Sequence, residues 1–129
     1  MPVYSLREAS SLLGVSVDTL RRWADTGRLG TTTDAQGHRA VEGRDLAAFA
    51  VAQAGRSETG SGSSMRNRFA GIVTRVVRGD VAAQVEIQAG PHRLVSLLTR
   101  EAVDDLDLRE GDRAVAVVKA TNVSVEVSR

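Results

Sequence analysis

Lys119 is the only lysine in this 129-residue chain; every other basic side chain is an arginine or one of two histidines. A lysine ammonium is a compact point charge on a flexible stem, whereas a guanidinium is broad, flat and weakly hydrated. Lys119 closes an apolar, β-branched run within Ala114–Val125. Two readings are open at this point: a solvated strand end, or a place that requires a point charge. The residues of hydrolytic or redox chemistry are missing. Cysteine is absent, which excludes disulfides, thiolate metal sites and a cysteine nucleophile. His38 and His92 fall in different segments, and no nucleophile–base pair or nucleotide loop surrounds them. The serines of Ser61–Ser64 belong to a linker. The expectation is a binding protein with no catalytic residue and no direct cation site.

The elements that must position these residues come in two kinds. Ser5-Leu-Arg-Glu8 is a capping box that opens a helix carrying Leu6, Ala9, Leu12 and Leu13, ended by Gly14. Ser16 caps a second helix with Leu20, Trp23 and Ala24 on one face, closed by Gly27. A hairpin tip at Asp34–Arg39 and a third helix from Gly43, with Leu46, Phe49 and Ala50 inward, complete the first fifty residues. Two helices joined by a short turn containing glycine have helix-turn-helix spacing. Residues 52–63 are rich in glycine and serine and read as a tether. The pattern beyond them is β: Phe69–Arg78, Val81–Ala89, Arg93–Thr99, a short helix capped by Thr99, then Arg113–Lys119 and Val123–Val127. The expected fold is α+β in two domains, 1–51 and 64–129. The second is a five-stranded, partly open, oligonucleotide-binding-fold-like β-barrel with one short helix.

The run from Tyr4 to Leu29, with Gly37-His-Arg39 and Asp45–Phe49, resembles the winged helix-turn-helix of the MerR and excisionase-like DNA-binding families. That resemblance implies that Ser16, Asp18 and Thr19 meet bases or phosphates at the start of a recognition helix. It implies that Arg21 and Arg22 donate to phosphates or guanine edges, and that His38 and Arg39 reach the minor groove from a wing. Residues 1–50 hold as many acidic residues as arginines, so a monomer neutralises few phosphates, and useful affinity calls for oligomerisation.

Residues 64–127 resemble the molybdopterin-binding-protein-like (Mop, or TOBE) domain. The residues that carry the match are Ser64-Met-Arg-Asn67, Gly71-Ile-Val, Thr99, Leu106-x-Leu-x-x-Gly111-Asp and Val118-Lys-Ala-Thr-x-Val123. The resemblance implies a molybdate or tungstate oxyanion held between subunits by Ser64, Arg66, Thr99, Lys119 and the Ala120 amide. It also implies a homo-oligomer, a hexamer built as a trimer of dimers. The chemistry agrees: a tetrahedral dianion calls for cations and N–H donors and no carboxylate, and Thr99 opens a helix whose first amides form an anion cradle. The chain carries Ala102 where the family commonly has a hydroxyl, and Ala82-Ala-Gln-Val where it has Asn-Ala-Glu-Val.

Net charge is +1 and no apolar run reaches the ~20 residues of a membrane span. The N-terminus does not read as a signal peptide, so the expected location is cytoplasmic. Together these features predict a transcriptional regulator that binds double-stranded DNA and senses molybdate or tungstate. The alternatives are an oxyanion store, or a barrel that only oligomerises the DNA-binding heads.

Overall fold

A computed structural model describes residues 2–54 and 63–128. The chain divides into two compact units, Met1–Glu58 and Thr59–Arg129.

In the first unit, β1 (Val3–Ser5) leads into α1 (Leu6–Leu13) and α2 (Val17–Asp25). The hairpin strands β2 (Thr32–Thr33) and β3 (Arg39–Glu42) follow, then α3 (Gly43–Ala54). The capping box forms as expected: Glu8 N–H donates to Ser5 Oγ, and Ser5 N–H donates to the Glu8 carboxylate, both at 3.1 Å. Gly14 ends α1 at φ 70°, where a side chain is disfavoured. β1 and β2 flank β3 in a small antiparallel sheet. Ala9, Leu20, Trp23, Leu29, Val41 and Leu46 form the core, with the Phe49 ring 5.2 Å from that of Trp23. Leu12 departs from the expected helix face and is 62% exposed. Helix α3 continues through Ala54, past the expected boundary at residue 51, because Ala52-Gln-Ala54 are good helix formers. The rest of the expected tether, residues 55–62, lies outside the described residues.

The second unit is a four-stranded antiparallel sheet, in order β6-β5-β4-β7, with a short helix against it. Its elements are β4 (Asn67–Arg78), β5 (Ala82–Ala89), β6 (His92–Thr99), α4 (Arg100–Leu106) and β7 (Arg113–Val118). The long strand β4 pairs with β7 through its first half and with β5 through its second. A bulge between Val73 and Arg75 helps it change partners. The period-two pattern of β5 works as expected on one side, where Ala83, Val85, Ile87 and Ala89 are buried; Val73 and Val103 join Ala83, Val85 and Ile87 in the core.

The expected fifth strand does not form. The chain leaves β7 through a 3-10 turn, Ala120–Asn122, and Val123–Ser128 joins no ladder. Val125 and Val127 are 86% and 70% exposed. Alternation supplied the face for a strand, but one copy of the chain offers this segment no edge that it takes up.

No helix among the described residues is long and apolar enough to cross a membrane.

Candidate functional site

The solvent face of α2 carries Asp18, Arg21, Arg22 and Asp25, and their partners differ. Ser16 is occupied as the cap: its hydroxyl accepts the Thr19 N–H at 3.1 Å and donates to Thr19 Oγ1 at 2.8 Å. Asp18 is held loosely, 3.6 Å from the Arg21 guanidinium. Arg39, on β3, donates to Asp25 Oδ1 at 2.6 Å and ties the hairpin to the end of α2. His38 lies at the hairpin tip, its Nδ1 3.8 Å from Asp34 Oδ2, while Asp34 Oδ1 accepts the Gln36 and His38 amides. Arg22 makes no ion pair or side-chain hydrogen bond among the described residues. It is the cation on this face that no carboxylate engages among the described residues.

The five residues expected at the oxyanion site fall into two groups. Lys119 follows the last residue of β7 and stands at the head of the 3-10 turn, where its carbonyl accepts the Asn122 N–H at 2.8 Å. The Ala120 amide, first in that turn, has no acceptor among the described residues. Asn67 pairs with Val118 and donates to its carbonyl at 3.0 Å, so Arg66 and Lys119 both lie one step beyond the last registered pair. Ser64 precedes Arg66 by two residues, and Ser64, Arg66, Lys119 and Ala120 are all exposed. This end of the sheet offers two cations and an unpaired amide.

Thr99 is elsewhere. It pairs with Ala82 at the far edge of the sheet, beside Ala83, which pairs with Arg78 at the opposite end of β4. From Asn67 to Arg78 the strand path is on the order of 35 Å at ~3.3 Å per residue. Along the ladder, Thr99 and Lys119 therefore belong to opposite ends of β4.

The expected cradle at the start of α4 is also largely filled. The Arg100 amide donates to Val81 O at 2.8 Å, and the Ala102 amide donates to Thr99 Oγ1 at 3.1 Å. What remains at this end is the Glu101 amide, which finds no acceptor among the described residues, and the Thr99 hydroxyl proton. Asp80, Glu101, Asp104 and Asp105 line the adjoining surface cleft. Arg100 Nε and Arg78 Nε, at 3.1 and 3.3 Å, offset the Asp104 charge.

Periodicity did not reveal Glu86. It belongs to the polar face of β5, yet only 8% of it is exposed. Arg93 of β6 donates to its carboxylate, as does Gln84 at 3.3 Å. The Arg93 hydrogen bond holds the Glu86 carboxyl below its ordinary value of 4.5; burial opposes this, and the charges of Arg93 and Arg75 reinforce it. A lowered folded-state pKa contributes stability that is present above the ordinary value and lost as pH falls through the lowered one. Melting temperature should therefore decline below pH 4.5 more steeply in the native chain than in Glu86→Gln. Equal slopes in the two would show that the pair is not coupled to folding.

Comparison with known proteins follows the same division. The TOBE domain model matches residues 63–125, and a helix-turn-helix domain model matches residues 3–53. Molybdenum-pterin-binding protein 3 of Clostridium pasteurianum is 35% identical over 63 residues, which are 48% of this chain and 93% of that protein. The chain belongs to the molybdenum-pterin-binding (Mop) family. Its Mop-family part is the C-terminal unit, and the helix-turn-helix domain precedes it. The molybdenum transport protein ModE of Herbaspirillum seropedicae is 37% identical over 62 residues, 47% of this chain. The match spans only 23% of that relative's length. A molybdate-binding protein from Sporomusa ovata of solved structure is 37% identical, with a TM-score of 0.49, over 50% of this chain and 97% of that one. Among the described residues no cluster of His, Asp or Glu is placed to hold a metal cation.

Proposed function

We propose that this chain is a cytoplasmic, DNA-binding transcriptional regulator whose Mop-family unit senses molybdate or tungstate. The observation that carries the reading is the pairing, on one chain, of a helix-turn-helix domain with a Mop-family unit. Relatives of that unit are named for molybdenum and molybdate. Residues 1–51 supply the DNA contacts: Ser16 at the cap of α2, Asp18, Thr19, Arg21 and Arg22 from α2 itself, with His38 and Arg39 from the hairpin acting as a wing. Residues 64–129 supply the oxyanion site and the assembly contacts.

The donor set fits a tetrahedral dianion. Lys119 and Arg66 bring positive charge, the Ala120 amide and Ser64 bring hydrogen bonds, and no carboxylate lies among these four. Thr99 adds its hydroxyl proton. The ladder sets Thr99 and Lys119 beside opposite ends of β4, which favours a shared site to which one copy contributes Lys119 and another contributes Thr99. Ion binding then favours the assembled form by mass action, and assembly sets the number and spacing of the DNA-binding heads. We assign the assembly as a homo-oligomer, a hexamer built as a trimer of dimers, which sedimentation tests directly.

Gel shifts with genomic promoter fragments, with and without molybdate, test the function. The expected result is sequence-dependent binding whose strength or stoichiometry changes with the ion. Loss of any DNA binding in both states, with ion binding intact, would replace regulation by oxyanion storage.

The partners on α2 rank the variants. Arg22→Ala should weaken DNA binding by about tenfold, the value of a good phosphate or base contact. Arg21→Ala should cost less, because Asp18 already competes for its charge. Asp25→Asn should strengthen binding by releasing Arg39. Titrations at fixed salt that reversed this order would remove α2 from the interface.

A further inference from the structure

We propose that Asp18 and Arg21 act together as the base reader of α2 and select a C·G pair, with cytosine at Asp18 and guanine at Arg21. The assignment rests on the DNA-binding reading and names a base pair that this reading leaves open. At the start of α2 two hydroxyls are already engaged: Ser16 Oγ accepts the Thr19 N–H and donates to Thr19 Oγ1. That leaves Asp18, whose side chain is 95% exposed, and Arg21, 56% exposed and one turn further along the same face. Their closest approach is 3.6 Å, within reach of an ion pair but too long for a hydrogen bond. Both heads therefore keep their outward hydrogen-bonding capacity. Neither side chain has another partner among the described residues.

A carboxylate on a face that meets DNA is repelled by phosphates, and gains only where it accepts from a base amine. In the major groove cytosine N4 and adenine N6 offer such an amine, but adenine sets its N7 acceptor beside it. Guanine and thymine turn acceptors toward a carboxylate. Cytosine is therefore the base that suits Asp18. Its partner guanine presents O6 and N7 next to the cytosine amine, and these are the atoms that a guanidinium engages with two hydrogen bonds. An acceptor head beside a donor fork thus complements a C·G pair, and the ion pair between them survives binding. The reversed pair, G·C, sets acceptors against Asp18 and an amine against Arg21. Arg22, which no carboxylate engages, stays available for a phosphate. A carboxylate in the first turn also stabilises a helix through the helix dipole. That role needs only the charge, whereas base reading needs the acceptor pattern, and Asp18→Asn separates the two.

The test is selection of duplexes from a randomised library by the full-length chain, followed by competition titrations at fixed salt. The native chain should enrich a site in which one C·G pair is required. Replacing that pair by G·C, A·T or T·A should lower affinity by about tenfold in each case. Asp18→Asn should move the preference at this pair to A·T, because an amide accepts from adenine N6 and donates to N7. The rest of the selected site should stay the same. Arg21→Ala should flatten the preference at the same pair. Ser16 still caps α2 in Asp18→Asn, and Asp18 is exposed, so the variant should keep the helical circular dichroism of the native chain. Weaker or unchanged binding by Asp18→Asn with the C·G preference retained would overturn the assignment and leave DNA binding standing. A library from which the native chain enriches no duplex would overturn both.

Discussion

Lys119→Ala should lower molybdate affinity by about two orders of magnitude or more in calorimetry, while the β circular dichroism of the chain is retained. The reasoning is electrostatic. A dianion held between protein surfaces has lost much of its water, and each charge-assisted hydrogen bond that replaces the water contributes about 1.5–3 kcal/mol. Removing the one lysine takes away a formal charge and a mobile ammonium donor. The fold has little need of either, because Lys119 is exposed and follows the last ladder pair of β7. Lys119→Arg should also weaken binding, since a planar fork fits a small tetrahedral site less well than a point charge does. Unchanged affinity in Lys119→Ala would return the residue to a solvated strand end.

The proposed sharing of the site adds a test that a site within one copy would not pass. Thr99→Ala should impair binding independently of Lys119. Refolding Lys119→Ala chains together with Thr99→Ala chains should then restore a fraction of the sites, because some interfaces receive an intact Lys119 from one copy and an intact Thr99 from the other. If mixtures never exceed the two variants measured separately, both residues belong to one subunit's site, or Thr99 to none.

The second large effect concerns the fold. Gly71→Ala should destabilise the β unit by about 3 kcal/mol, enough to lower its melting temperature by more than about 10 °C. Gly71 lies on β4 just before the strand passes from β7 to β5, where the end of β5 crosses closely above it. A Cβ at this position would sit 2.2 Å from the Gln88 carbonyl oxygen and 3.0 Å from Ala89 Cα. Both are backbone atoms, so no side chain can swing aside, and relief requires moving a central strand. Gly90 makes a useful control: it adopts φ 58°, but nothing lies within 4 Å of an added Cβ. Gly90→Ala should cost only the ~1 kcal/mol of a left-handed backbone. Similar melting temperatures for the two variants would show that β4 has room to move.

Much of the local structure was legible in the residues. Ser5 with Glu8, Ser16 and Thr99 announced three helix starts, because a hydroxyl at a cap satisfies amides a fixed number of residues away. The alternation in Val81–Ala89 identified the buried face of β5, because side-chain direction in a strand depends on parity alone. Leu12 misled, since helical spacing permits more apolar positions than the small domain has core to cover. Glu86 was hidden because parity placed it among polar residues; the register of β5 and β6 pairs it with Val95 and lets Arg93, opposite Gln88, reach it from the diagonal position. The resemblance brought the oxyanion residues together as one set held between subunits, and no spacing in the sequence revealed that the ladder sets Thr99 and Lys119 beside opposite ends of β4.

The sequence by itself determined the caps, the strand faces, the division into a helical and a β half, and the family, because each of these is encoded over short distances. Only the tertiary structure decided that the ladder sets Thr99 and Lys119 beside opposite ends of β4, and that Val123–Val127 joins no ladder. Those outcomes depend on which strands become neighbours and in what register, a matter of packing between distant segments that no local pattern specifies.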